Sequence, residues 1–588
     1  MAKKIWYVVG GLVVVGALFV VGSYMIGSSP LFADASLLNL FRGADAAKGT
    51  LTVELRRAAT KSTDAKTPDQ AAPGAGDWTS YNRTITSERF SPLTDLNPDT
   101  AGKLKVLCTY DTRKLEGTES SPIMADGALV GTTAEDIFSI DPNTCKENWR
   151  VHENSGLWSI PVNRGAVYLD GRVYRGFHDG FVRAFDVKTG QKVWETYIGQ
   201  KDMAAGMTSA PIAWNGMIYI GTAGGDVRDV RGRVLALDAV SGKVNWQIST
   251  VPRLETDTLH GPAGTMPEQE MLKTWGNEPG VPISGGGTWS SYTLDPEAGY
   301  LYIPVGNSAP DYVKDLRPGT NLFANHLLVV DAKTGNYVKN YEIMADDWHD
   351  WDMSNTPALY TSRGGRKQIS VSPKDGHLYS FDRSSDKLLY RNPVTTIDNA
   401  TAAFEPEKGV HFCPGSAGGG EWNGTAYDGQ YNLLFTGTND WCATIKIQKD
   451  SKAARVKDGS SWMGVAYINP LDEAGKFDDK STWGGWLYAT DADDGQWAWR
   501  AKSNYPILSG VTPTAGGVVM FGDMGGNFYV LRGDNGAKLW SQHFDGAIAG
   551  GVITYSTGAG QRVAFMAGLS HPLWPVEPKI GKIVILGM

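Results

Sequence analysis

Several short strings in this chain carry residue types better suited to binding and proton chemistry than to building regular structure. Pro161-Val-Asn-Arg-Gly165 holds Arg164, a planar fork that pairs with carboxylates two bonds at a time. Gly285-Gly-Gly-Thr-Trp289 ends on Trp289, whose indole face suits stacking on a flat ligand. Gly224-Gly-Asp226 and Val305-Gly-Asn307 end on Asp226 and Asn307, hard oxygen donors of the kind that hold Ca²⁺. Trp348-His-Asp-Trp-Asp352 ends on Asp352, a carboxylate able to take a hydroxyl proton. Ser372-Pro-Lys-Asp-Gly376 supplies Lys374, a cation able to steady negative charge on an oxygen. Each has a plainer rival: a rim salt bridge for Arg164, a turn cap for Asp352, strand packing for Trp289, solvent for Lys374.

The elements that must position these residues are read from a repeat. Short apolar runs end in Asp, pass through a turn that in most copies contains Gly and reach Trp eight positions later, as from Asp141 to Trp149, Asp186 to Trp194, Asp238 to Trp246 and Asp491 to Trp499. Arg532 to Trp540 is a variant copy, and weaker ones start at Asp331 and Asp382. Consecutive copies stand about 41–52 residues apart, one four-stranded blade of a β-propeller per step. The wider gaps from 238 to 331 and from 382 to 491 leave room for a further blade each, with residues 300–305 and 432–436 as candidate strands. An all-β propeller of about eight blades with tryptophan-docking repeats is expected over residues 77–588. The repeat tryptophans are structural, so chemistry falls to loops near the axis.

In order and spacing, the strings above, with Glu119-Ser-Ser-Pro122, Val230-Arg-Gly232, Asp77-Trp-Thr-Ser-Tyr81 and Gly510-Val-Thr-Pro-Thr-Ala-Gly516, resemble the pyrroloquinoline-quinone (PQQ) dependent alcohol dehydrogenases, methanol dehydrogenase being the best-known member. The resemblance implies that Trp289 stacks on PQQ, that Glu119, Arg164, Thr208 and Lys374 contact it, that Asp226, Asn307 and Asp352 hold Ca²⁺, and that Asp352 is the catalytic base, helped by Lys374. It implies hydride transfer from an alcohol to PQQ, with Ca²⁺ as Lewis acid. Three departures stand out. Trp158-Ser159 replaces the family's two adjacent cysteines, Asp226 sits one residue out of register with a shorter carboxylate, and the Asp352 string is one residue short. Ser354 stands where lanthanide-dependent relatives place Asp, which points to Ca²⁺.

Bulk properties set the surroundings. A net charge of -8 and no dense Lys/Arg stripe exclude nucleic acid as a partner. Lys3-Lys4 followed by an uncharged apolar run over residues 5–26 predicts a transmembrane anchor within residues 1–27, with the body outside the cytoplasm. A cleaved signal peptide is the alternative, since Ala33-Asp34-Ala35 has the spacing of a cleavage site. Residues 28–76 read as a flexible linker. In an oxidising compartment the expected disulfides are Cys108–Cys145 and Cys413–Cys442, against four free buried thiols. No Cys-x-x-Cys-His string is present, so electrons must leave to a separate cytochrome c or blue-copper protein. A non-catalytic, membrane-anchored propeller serving as envelope scaffold is the competing function.

Overall fold

The computed structural model describes residues 51–62, 74, 76–156, 161–200, 206–465 and 476–588. The expected anchor and the Trp158-Ser159 departure lie outside them, and no helix of the described residues is long and apolar enough to cross a membrane.

Among the described residues, eight antiparallel sheets, seven of four strands and the sixth of five, follow one another along the chain. Their first strands are Ile123–Ala125, Val167–Leu169, Ile212–Trp214, Thr293–Asp295, Ala358–Thr361, Thr425–Asp428, Thr512–Pro513 and Val552–Thr557. Val167–Leu169 lies against the first strand on either side, the arrangement of propeller blades around an axis. Each sheet is sandwiched between two others, so both faces are covered. Middle strands such as Ala128–Thr132 and Asp136–Ile140 are therefore buried throughout, while the outer strand Glu147–His152 is mostly half-buried. This is why the runs before each repeat Asp read as continuously apolar.

Every junction between neighbouring sheets has its own apolar cluster. The one that packs Ile553 and Ile583 of the last sheet against Leu129 and Phe138 of the first closes the ring. Closure also uses the backbone: Lys105–Asp111, which precedes the first sheet, pairs with Lys582–Gly587 far downstream. Cys108 on that strand is bonded to Cys145 in the first sheet's outer hairpin, and Cys413 to Cys442, the two expected pairs.

The repeat works as a dock. Asp186 accepts the backbone N–H groups of Lys188 and Thr189 and so closes the turn between the third and fourth strands. The indole N–H of Trp149 then reaches across to the carbonyl of Val187, and Trp194, Trp246 and Trp499 make the same bond to Ala239, Ala332 and Gly533. The turn glycine lies flat against the incoming ring; a Cβ on Gly190 would sit 2.7 Å from Trp149.

Two sequence expectations need correcting. Among the described residues the wide gaps hold no additional four-stranded sheet, because residues 300–305 and 432–436 belong to the same sheets as the copies at 331 and 491. The extra length goes into excursions that carry the helix Glu268–Lys273 and a small three-stranded sheet containing Gly409–Phe412 and Ala443–Lys446. The eighth sheet has no repeat copy, since it is assembled from residues 105–111 and 552–587, segments far apart in the chain. The linker reading also fails for residues 51–62: Leu51–Leu55 pairs with Trp497–Ser503 as a fifth strand of the sixth sheet, its Leu51 and Val53 packing on that sheet's core.

Candidate active site

The strings singled out in the sequence converge on one polar pocket. Arg164 follows the first sheet and precedes Val167–Leu169. Its Nη2 donates to Glu119 Oε2 at 2.7 Å and its Nη1 to the carbonyl of Trp289 at 3.0 Å. Thr208 Oγ1 donates to that same carbonyl at 3.2 Å, so two donors fix the Trp289 backbone. The guanidinium lies 4.5 Å from the Trp289 ring centre and 5.2 Å from Trp422, and its buried Nε has no hydrogen-bond partner among the described residues. Burial pushes the Glu119 carboxyl up to about 7, against the pull of Arg164. His571 lies 3.5 Å from the other Glu119 oxygen. Burial, with Arg164 beside it, pushes that imidazole down to about 3.

The second half of the pocket is acidic. Asp352 takes the Lys374 ammonium at 2.8 Å on one oxygen and the Asn307 backbone N–H at 2.6 Å on the other. Gly306 permits that approach, since a Cβ there would meet Asp352 Oδ1 at 2.8 Å. Lys374 is buried rather than solvated, 3.5 Å from Asp350 and 5.7 Å from the Trp289 ring. Burial pulls its pKa down, but Asp350 and Asp352 outweigh this and hold it well above the ordinary lysine range. Carboxylate oxygens of Asp226, Asp311 and Asp350 lie within 4.8 Å of one another. Burial and the neighbouring Asp352 push Asp226 up to about 6, and burial with its acidic neighbours raises Asp311 and Asp350 well above the usual carboxylate range.

Local folding explains the convergence. Arg317, fully buried, donates to the carbonyls of Pro310, Asp311 and Asp347, clamping the loop after Asn307 to the loop that ends in Asp352. Asp347 accepts the backbone N–H groups of His349 and Trp351, and the His349 ring stacks on Trp351 at 4.0 Å, which aims Asp350 and Asp352 inward. Trp351 donates to the Pro414 carbonyl beside the Cys413–Cys442 bridge. The loop after that bridge brings in Glu421, buried and pushed up to about 8, first by desolvation and then by Asp352 against the pull of Lys374. Its glycines allow close packing: a Cβ on Gly420 would meet the Ser372 carbonyl at 1.8 Å.

All eight residues proposed from the sequence, Glu119, Arg164, Thr208, Asp226, Trp289, Asn307, Asp352 and Lys374, therefore line one site. Asp311, Asp350, Glu421 and His571 went unassigned. Asp350 stood inside a quoted string, and the run Gly418-Gly-Gly420 before Glu421 matches the glycine run before Trp289, a signal that lay outside the repeat register. Chemically, one half offers a flat indole under a guanidinium with a spare donor, fit for a planar polyanion. The other offers hard oxygen donors for a cation and a carboxylate poised to take a proton.

A ring of sheets with such a cation-and-acid pocket beside an open indole is the architecture of a quinoprotein. A family model described as glucose/ethanol/alcohol dehydrogenase, beta-propeller domain, matches residues 78–175 and 195–402, and one described as outer membrane protein assembly factor BamB matches residues 484–583. The first match spans more than half of the chain, which belongs to the PQQ-dependent alcohol dehydrogenase family. The chain is 29% identical over 528 residues to the quinohemoprotein alcohol dehydrogenase ADH-IIG of Pseudomonas putida, covering 84% of this chain and 72% of that one. It is 29% identical over 539 residues to the dehydrogenase subunit of the alcohol dehydrogenase (quinone) of Gluconobacter oxydans, covering 84% and 70%. The solved structure of the Pseudomonas putida ADHIIG protein matches with a TM-score of 0.77 at 26% identity over 87% of this chain and 80% of that one. A europium-containing methanol dehydrogenase matches in fold, with a TM-score of 0.76 at 21% identity over 88% and 99%.

Proposed function

We propose that this protein oxidises an alcohol to the aldehyde or ketone with PQQ and a hard cation, and passes the electrons to a separate cytochrome c or blue-copper protein. The observation that carries the reading is the pair of cations over one indole: Arg164 and Lys374 both face Trp289, and Lys374 in turn holds Asp352. PQQ supplies the two-electron acceptor and the cation supplies Lewis acidity. Trp289 gives a stacking face, Arg164 and Thr208 steady the site around it, and Glu119 orients Arg164. Asp226, Asn307 and Asp352 offer oxygen donors to the cation. Asp352 accepts the hydroxyl proton on a carboxylate oxygen, and Lys374 keeps that oxygen in place and steadies negative charge near the indole.

The eight sheets are, on this reading, the full set of blades. The body lies outside the cytoplasm, held at the inner membrane by residues 5–26 or released after cleavage; the two disulfides support an oxidising compartment. The scaffold alternative draws on the BamB match, but residues 484–583 include none of Arg164, Trp289, Asn307 or Asp352. The test is dye-linked oxidation of an alcohol panel by the full-length chain with PQQ, in Ca²⁺ and separately in La³⁺, beside Asp352→Asn. Both proteins should take up PQQ, with turnover falling by about 10²–10⁴ in the variant. A wild type that takes up no PQQ leaves the scaffold reading; equal turnover removes Asp352 as base.

A further inference from the structure

We propose that Asp311 and Asp350 belong to the cation seat, which therefore takes a trivalent cation in preference to Ca²⁺; this rests on the reading that the pocket holds a cation beside PQQ. The acidic cluster alone would not carry the idea, because grouped carboxylates are common. The decisive observation is Asp311. It is fully buried, and neither carboxylate oxygen has a hydrogen-bond partner among the described residues, while Arg317 binds only its backbone carbonyl. Buried polar atoms are almost always paired, so two bare carboxylate oxygens, one of them within 4.8 Å of carboxylate oxygens of Asp226 and Asp350, mark a ligand position.

Charge counting then selects the ion. Asp226, Asp311 and Asp350 form the cluster and Asp352, linked to Asp350 through Lys374, adds a fourth carboxylate; ionised around a bound cation they carry four negative charges, of which Lys374, at 2.8 Å from Asp352 and 3.5 Å from Asp350, offsets one. A divalent ion leaves an uncompensated negative charge in a buried site, which is expensive, whereas a trivalent ion balances it. The donors are all oxygen, as hard cations of either charge require. Ser354 does not enter the seat: its hydroxyl donates to the Gly420 carbonyl. The extra acids come instead from Asp311, four positions after Asn307, and Asp350, two before Asp352.

The experiment titrates Tb³⁺ into the purified full-length chain, read by tryptophan-sensitised terbium luminescence and by calorimetry, with Ca²⁺ as competitor and without any turnover assay. One Tb³⁺ should bind per chain, at least about 100-fold more tightly than Ca²⁺, and Asp311→Asn should weaken Tb³⁺ by about tenfold or more while changing Ca²⁺ less, as ligand charge sets affinity. Asp350→Asn provides the same comparison if thermal melts show that Asp311→Asn is unfolded. A wild type with no preference for Tb³⁺, or variants that bind Tb³⁺ like the wild type, overturns the proposal. PQQ uptake, followed by its absorbance, separates the two readings. Uptake with no Tb³⁺ preference removes the trivalent seat and leaves the dehydrogenase; Tb³⁺ preference with no uptake does the reverse.

Discussion

Glu421→Gln should remove a pH-dependent instability from the apoprotein. In the fold this carboxyl is raised from 4.5 to about 8, chiefly by desolvation, with Asp352 and Glu119 adding to the rise and Lys374 and Arg164 opposing it. A folded pKa above the unfolded one means that the folded state holds its proton longer. Stability is therefore greatest below about 4.5, is lost as pH rises from there to about 8, and is level above that. At about 1.4 kcal/mol per pKa unit, the loss between pH 5.5 and 8.5 is about 3 kcal/mol as an order of magnitude. Glutamine keeps the shape and deletes the titration, while raised acids that do not interact with Glu421, such as Asp523, contribute equally to both proteins. Urea midpoints for wild type and variant at pH 5.5 and 8.5, without cation or PQQ, read the difference. The variant should gain about 3 kcal/mol on wild type between the two pH values. Parallel profiles would refute the argument, by showing that Glu421 is solvated or firmly paired in the folded protein.

Two further outcomes follow from the geometry, beside those already given for Asp352 and for Asp311. Arg164→Lys keeps the charge but loses the fork that joins Glu119 to the Trp289 carbonyl 4.5 Å from the centre of the indole; PQQ affinity by absorbance titration should fall about 10–100-fold with the melting curve little changed. Replacing Cys108 and Cys145 together with serine releases the closing strand, and should lower stability by about 4 kcal/mol in denaturant, with no further loss on adding reductant for that bond.

How far the sequence could be read depended on which interactions are local. The Asp-to-Trp repeat was legible because turn, ring and docking partner recur with fixed offsets, so Asp186, Trp149 and Gly190 announce one another. The assignment of blades to the wide gaps went astray where loops grew: spacing cannot distinguish a decayed blade from an excursion, and residues 238–331 hold the latter. The eighth sheet was invisible for the opposite reason, being split between residues 105–111 and 552–587. In the pocket, residues on family strings were found, whereas Asp311 and Glu421 were not. Their significance lies in surroundings brought together by Arg317 and by the Cys413–Cys442 loop, long-range contacts that leave no spacing in the sequence.

The bond between Cys108 and Cys145 also bears on the order of assembly. Its partners are only 37 residues apart, while the backbone partners of the same strand, Lys582–Gly587, lie far downstream and are synthesised much later. A chain emerging N-terminus first can make the covalent link early, fastening the waiting strand to the first sheet before its proper neighbour exists. The final step is then the arrival of the C-terminal hairpin at an edge already held in place. The entropy of bringing two distant chain ends together is spent in a short, early loop closure instead of all at once at the end.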